Sequence, residues 1–267
     1  MLLRGNLLKL KSLLKDTVDY YLVLNGKEYG INKFIGNNLK ITFNHKINCI
    51  HCGVGINRTF FQGYCYNCFN TLPQTDVGII NPERSMAHEG ISRDMEWAKK
   101  YELDKHYVYL SVTSNIKVGV TMHSQVPTRW IDQGAEYAII LAETPYRQLA
   151  GSIEVELKQY LNDKTNWRKM LSNTVKKQPD LLSAKNEYIT KLPEEYHEFI
   201  SDNDNITHIK YPVIQYSNKV RSVNIDKNDV FEGQFIGIKG QYLIFSDGSV
   251  FNIRKYGGYD ISFEFKK

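Results

Sequence analysis

Nowhere does the sequence carry an apolar run long enough to span a bilayer, so no membrane partner is expected. The leucine-rich opening MLLRGNLLKLKSLLK is interrupted by Arg4, Lys9, Lys11 and Lys15. It lacks the unbroken apolar core and small-residue cleavage site of a secretory leader, so the expected location is the cytoplasm. There is no internal repeat and no low-complexity tract. Cysteine is confined to four residues between positions 49 and 68, and none is left over for a scattered disulfide framework.

What is present describes an ordered globular chain. A hydrophobic content of 42% with 24% charged residues argues against disorder, and 267 residues suffice for one large domain or two to three small ones. The formal charge of +5 and a pI near 8.8 suit a polyanionic partner without requiring one. Residues 1–46 hold eight Lys or Arg against three Asp or Glu, a local excess equal to that of the whole chain. Such a run is either a solvated face or a nucleic-acid contact.

Periodicity predicts an α+β protein. Residues 1–46 form a β-rich region: Tyr20 to Leu24 is a strand-forming run, Asn25-Gly26 favours a type I′ hairpin, and Leu39, Ile41 and Phe43 alternate with polar neighbours. Residues 47–72 make a four-cysteine module, and 73–105 a loop-rich connector with a short helix near Asp94 to Tyr101. Residues 106–171 read as β-β-α-β-α: strands Tyr107 to Val112, Ile116 to Thr121 and Tyr137 to Leu141, a helix near Pro127, and a helix from Tyr146 to Leu161. A polar connector, 172–207, leads to a second β-rich region, 208–267, punctuated by Gly240 and Asp247-Gly248. The β-rich ends flank the α/β unit and are candidates to pair with one another.

Cys49 and Cys52, then Cys65 and Cys68, form two Cys-x2-Cys knuckles separated by twelve residues. Two residues between thiolates let both sulfurs reach one ion, and two knuckles complete a tetrahedral Zn2+ shell with no open position, so the zinc is expected to be structural. Gly53 and Gly63 give the knuckles backbone freedom. Two disulfides or an iron–sulfur cluster are the alternatives, the former disfavoured by the missing secretory context. His45 and His51 are read as bystanders.

The stretches His106-Tyr-Val-Tyr-Leu-Ser, Asn115-Ile-Lys-Val-Gly-Val-Thr, Thr128-Arg-Trp and Ala150-Gly-Ser-Ile-Glu resemble the GIY-YIG nuclease superfamily. The branch whose second motif is Lys-Ile-Gly-like is the most similar. The resemblance aligns Tyr107-Val108-Tyr109 with the first motif, Tyr107 replacing its glycine, and Lys117-Val118-Gly119 with the second, Lys117 replacing its tyrosine. It implies Tyr109, Arg129 and Glu154 as catalytic residues, with Glu154 holding Mg2+ or Mn2+, and Lys117 and Gly119 as phosphate or substrate contacts. DNA or RNA is the implied partner. Over residues 49–171, through Gln62-Gly-Tyr-Cys-Tyr, Pro127-Thr-Arg-Trp-Ile-Asp-Gln-Gly-Ala and Asp163-Lys-Thr-Asn-Trp-Arg, the chain also resembles the bacterial domain of unknown function 2797 family, which implies no activity.

The residue types suit phosphodiester hydrolysis. That reaction needs an activated water, a cation on the phosphate and stabilisation of the leaving oxygen. Tyr109 would orient or deprotonate water, Arg129 and Lys117 would neutralise phosphate, and Gly119 would permit close approach. Each has a plainer reading: a strand aromatic, surface cations, a bulge, and a solvated glutamate. Trp130 and Trp167 are candidates for base stacking or core, His123 for a base or a loop residue, and Asp132 and Glu156 are spare carboxylates near the key helices. Lys164, Arg168, Lys169, Lys176 and Lys177 form a basic stretch. The expected function is nucleic-acid binding with metal-dependent cleavage; the alternatives are binding without cleavage, or a zinc-stabilised protein-interaction adaptor.

Overall fold

Strand-forming residues dominate both ends of the chain, and in the computed structural model, which describes residues 1–161, 165–172 and 180–266, those ends share one sheet. The chain divides into two compact units, one built from Met1–Phe69 with the chain from Lys210 onward, the other from Asn70–Met170 with the segment leading to Ile209. No helix among the described residues is long and apolar enough to cross a membrane.

In the first unit seven strands lie in the order Leu2–Asn6, Tyr259–Lys266, Asn38–Ile47, Val230–Lys239, Tyr242–Phe245, Ser249–Asn252, Arg221–Ser222. Ile41 stands opposite both Phe263 and Phe231, and Leu39, Ile41, Ile261 and Phe263 are fully buried, so the alternation along Leu39 to Phe43 sets the register. A smaller sheet pairs Lys11–Leu13, Asp19–Leu24 and Lys27–Gly30; Asn25 and Gly26 both take positive φ, 50° and 75°, as a type I′ turn demands. Three cations of the basic N-terminal run are ion-paired: Arg4 with Asp260, Lys11 with Glu28, and Lys15 with Asp19. Glu28 and Asp19 are already counted in the local balance, so of these pairs only Arg4–Asp260 lowers the excess, by one charge.

In the second unit an antiparallel sheet has the order Ile116–Met122, His106–Val112, Tyr137–Thr144, Thr207–His208. Val108, Leu110, Val112, Val118 and Val120 pack with Ala150, Ile153 and Leu157 of helix Arg147–Lys158 and with Leu181 of helix Leu181–Ile189. The connector 73–105 belongs to this unit. A Cβ on Gly151 would lie 2.2 Å from the Glu83 nitrogen, so only glycine lets the turn Pro82–Arg84 rest on the helix. Arg147 fastens the same region, its Nε and Nη2 donating to the carbonyls of Gly78 and Ile79 at 2.7 Å each.

His106 opens its strand fully buried, Nδ1 against the Asp104 carbonyl at 2.8 Å and Nε2 without a hydrogen-bond partner. Burial, with a contribution from the Arg147 charge, holds it below its ordinary 6.5, at about 4, despite the Asp104 carbonyl. Above pH 6.5 it is neutral in both states; as the pH falls toward 4 the unfolded chain takes up a proton that the native state refuses. Stability should therefore decline through that window by up to about 3 kcal/mol. Urea midpoints followed by tryptophan emission, which comes from Trp97, Trp130 and Trp167 of this unit, should show that acid slope in the wild type and a flatter one in His106→Leu.

Candidate functional site

The four cysteines meet in the first unit. Their sulfurs all lie within 4.8 Å of one another; Cys49, Cys65 and Cys68 are buried and Cys52 is exposed. The first knuckle turns at Gly53 (φ 74°), whose N–H donates to the Cys49 carbonyl at 2.9 Å. The second follows Phe61, Gln62 and Gly63, all at positive φ, and the Cys68 N–H points at the Cys65 sulfur, 3.4 Å away. A tetrahedron with metal–sulfur bonds of about 2.3 Å has edges of about 3.8 Å, and Cys52 Sγ lies 3.8 Å from Cys65 Sγ. The cluster can hold a metal ion such as zinc.

The thiols themselves argue for a cation. Burial pushes Cys68 up to about 12, reinforced by the neighbouring sulfurs. At Cys49 burial also opposes ionisation, yet backbone N–H groups of Cys52, Cys65 and His51 bring it down to about 6. The Cys49 thiolate adds to the rise that burial imposes on Cys68, and a divalent ion would offset both. His45 turns away to Asp229 at 3.0 Å.

In the second unit the register sets a polar row on the sheet face opposite the valine core. Tyr109 stands across from Gly119 and Ser111 across from Lys117. The Tyr109 hydroxyl donates to Gln133 Oε1 at 3.0 Å, and Lys117 Nζ donates to the same oxygen. Gln133 ends the helix Thr128–Asp132, which carries Arg129. Tyr109 is fully buried and Lys117 is 4% exposed. Burial raises the phenol, the Arg129 guanidinium pulls the other way, and the Glu154 carboxylate adds to the rise. Tyr109, Lys117, Gly119 and Arg129 are therefore brought together, with Glu154 in electrostatic reach. Glu154 is 7% exposed and pairs with Lys158 at 3.1 Å, one turn further on.

A raised pKa disfavours the phenolate, and the Tyr109 hydroxyl acts here as a hydrogen-bond donor. Gly119 clears space for Tyr109 itself: a Cβ there would lie 2.6 Å from the phenol oxygen. Gly119→Ala should push the ring off Gln133 and destabilise the protein by about 1–3 kcal/mol in urea titrations.

Trp130 is buried edge-on to Tyr109, ring centroids 5.9 Å apart, so it belongs to the core and cannot stack on a base. Trp167 is half-buried beneath the Arg168 guanidinium at 4.3 Å. His123 contacts the Lys105 carbonyl at 3.2 Å, and Glu156 accepts from Gln159 at 3.0 Å. Asp132 is half-buried at the end of the Arg129 helix. Lys164, Lys176 and Lys177 lie outside the described residues. Sequence reasoning missed Gln133 and Arg147, whose partners are far away along the chain.

A family model described as a protein of unknown function (DUF2797) matches residues 36–261. The chain belongs to the DUF2797 family. No curated protein and no solved structure matches it. The DUF2797 match spans the four cysteines and the whole polar row of the second unit, so both sites lie within the family's common extent.

Proposed function

We propose that the protein is a cytoplasmic nucleic-acid-binding protein that cleaves DNA or RNA on the polar face of its four-stranded sheet, a GIY-YIG-like nuclease unit, with a zinc ion as the structural core of its cysteine loop. The observation that carries this reading is the convergence of the Tyr109 hydroxyl and the Lys117 ammonium on a single acceptor oxygen, Gln133 Oε1. An amide oxygen held by a phenol and an ammonium occupies the kind of position a non-bridging phosphate oxygen would take. With Gln133 swung aside, Lys117 and Tyr109 would grip the phosphate and Arg129 would neutralise charge building on it.

In hydrolysis, water adds to phosphorus, the bond to the leaving oxygen breaks, and that oxygen acquires a proton. Neither Tyr109, with its raised pKa, nor a lysine ammonium is suited to deprotonate the water. The Glu154 carboxylate would hold Mg2+ or Mn2+, which supplies an acidified water and an electrophile for the phosphate. Such ions ordinarily take one or two carboxylates and complete their shells with water and phosphate oxygens. Among the described residues the cysteines are the one group of three or more metal-ligating side chains, so Glu154 would act with few protein ligands.

A binding-only version is favoured by one feature: Gln133 fills the position, and Tyr109 is fully buried beneath it. Incubating the full chain with plasmid, single-stranded DNA and RNA, with and without Mg2+, separates the readings. Metal-dependent scission supports the nuclease; retention on a gel without scission supports binding alone; no association at low salt, where counterion release favours binding most, rejects both and leaves the protein-interaction adaptor.

A further inference from the structure

Beside the polar row lies a cavity of ≈ 330 Å³, walled on one side by the hairpin turn with Ser114, Asn115 and Lys117, and on the other by Thr165, Asn166 and Lys169. Among the described residues that line it are two ammonium groups, hydroxyls, amides and a single apolar side chain, Ile116, and no carboxylate. The second wall is seated by packing. Met170 rests on Gly134, where an added Cβ would meet its sulfur at 2.6 Å, and Gly134 directly follows Gln133. Arg168 is turned onto Trp167, and Lys169 lines the cavity.

Lys117 belongs to both places, since it lines the cavity and also donates to the oxygen shared with Tyr109. Directly across the strand pair from it, Ser111 is fully buried with its hydroxyl unpartnered.

We propose that this cavity is a second phosphate subsite, which seats the backbone phosphate next to the one at Tyr109 and Arg129, with Lys169 and Lys117 as its cations and Asn115 and Asn166 as neutral donors. The proposal rests on the nucleic-acid reading above and specifies how the strand is held. An ammonium is a point charge that suits phosphate without fixing its orientation, and hydroxyl and amide donors complete such sites without reading bases. Binding through this subsite is therefore indifferent to sequence.

The test is fluorescence anisotropy of the full chain with labelled single-stranded DNA and RNA of identical sequence, across a salt series, with no added Mg2+. Lys169→Gln should lower the slope of log K against log salt by about one and weaken binding about tenfold near 0.1 M salt. Asn115→Asp, which places a carboxylate in the cavity, should weaken binding at least as much. Lys191→Gln, an exposed lysine at the end of helix Leu181–Ile189, should match the wild type. Wild-type slopes in both cavity variants, with normal binding by the parent, would overturn the subsite alone. A parent that binds neither strand would overturn the nucleic-acid reading and the subsite together. Equal losses on DNA and RNA identify backbone phosphate; a loss confined to RNA would put a ribose hydroxyl there and overturn the assignment.

Discussion

Cys65→Ser should release the metal and loosen the loop from Cys49 to Cys68, because the sulfurs form its buried centre and its other ties are a few backbone bridges and a small cluster of Phe60, Phe61, Tyr66 and Phe69. From His51 to Phe61 every side chain is exposed or half-buried, and within the loop burial is concentrated at Cys49, Cys65, Cys68 and Gly63. Structural zinc contributes roughly 10–16 kcal/mol in small zinc-binding peptides near neutral pH, comparable to the whole stability of an ordinary domain. Removing one thiolate would leave a bound ion with three cysteine ligands and the knuckle N–H of Cys68 without its sulfur acceptor. Metal analysis should fall from about one zinc per chain to nearly none, and proteolysis within residues 51–62 should accelerate by at least about a hundredfold. Acid should reproduce the effect, since protons compete for thiolates. His45→Ala and His51→Ala should keep the metal; loss of zinc in either would show that an imidazole completes the shell. Iron in place of zinc would overturn the zinc assignment, since four thiolates can also hold iron.

The parts legible in sequence are those governed by short-range rules. Asn25-Gly26 announces its turn because two adjacent positive φ values select those residues, and Leu39, Ile41 and Phe43 announce a strand because burial on one face has a period of two. The cysteine cluster is legible because two knuckles suffice to define a tetrahedron. What escapes is set by contacts between distant segments. Arg147 looks like an ordinary cation at a helix start, yet its guanidinium fastens two carbonyls nearly seventy residues earlier. Residues 73–105 have the loop-rich texture of a connector, and nothing local reveals that Gly151 has been cleared to receive them. Gln133 is equally silent: its role comes from a strand pairing that brings Tyr109 and Lys117 to one point. Gly119 shows the reverse case, a residue whose importance is legible while its reason is not. The small side chain makes room for the protein's own phenol.

Glu154→Gln is expected to reduce strand scission to background while leaving binding of the same oligonucleotide within about threefold of the parent, because the change removes a charge needed to hold a divalent ion and leaves the phosphate-facing cations in place. Arg129→Ala should behave differently. On the proposed nuclease reading its guanidinium would meet charge that grows during reaction, so loss of about 10²–10³ in rate is expected at saturating substrate, with weaker binding as well. Tyr109→Phe separates orientation from proton transfer. A donor that merely positions a phosphate oxygen should cost less than the carboxylate, and its pH–rate profile should keep the parent's shape, since a phenol with a raised pKa is not the titrating group. Glutamine at 154 preserves size and hydrogen bonding but ends the ion pair with Lys158, so a matching Lys158→Gln variant controls for that loss. If Lys158→Gln also abolished scission, the ion pair and not metal holding would be the function of Glu154. If Glu154→Gln cleaved as the parent does, the divalent ion would have to be held elsewhere or not used at all, and binding without cleavage would become the better account of this face.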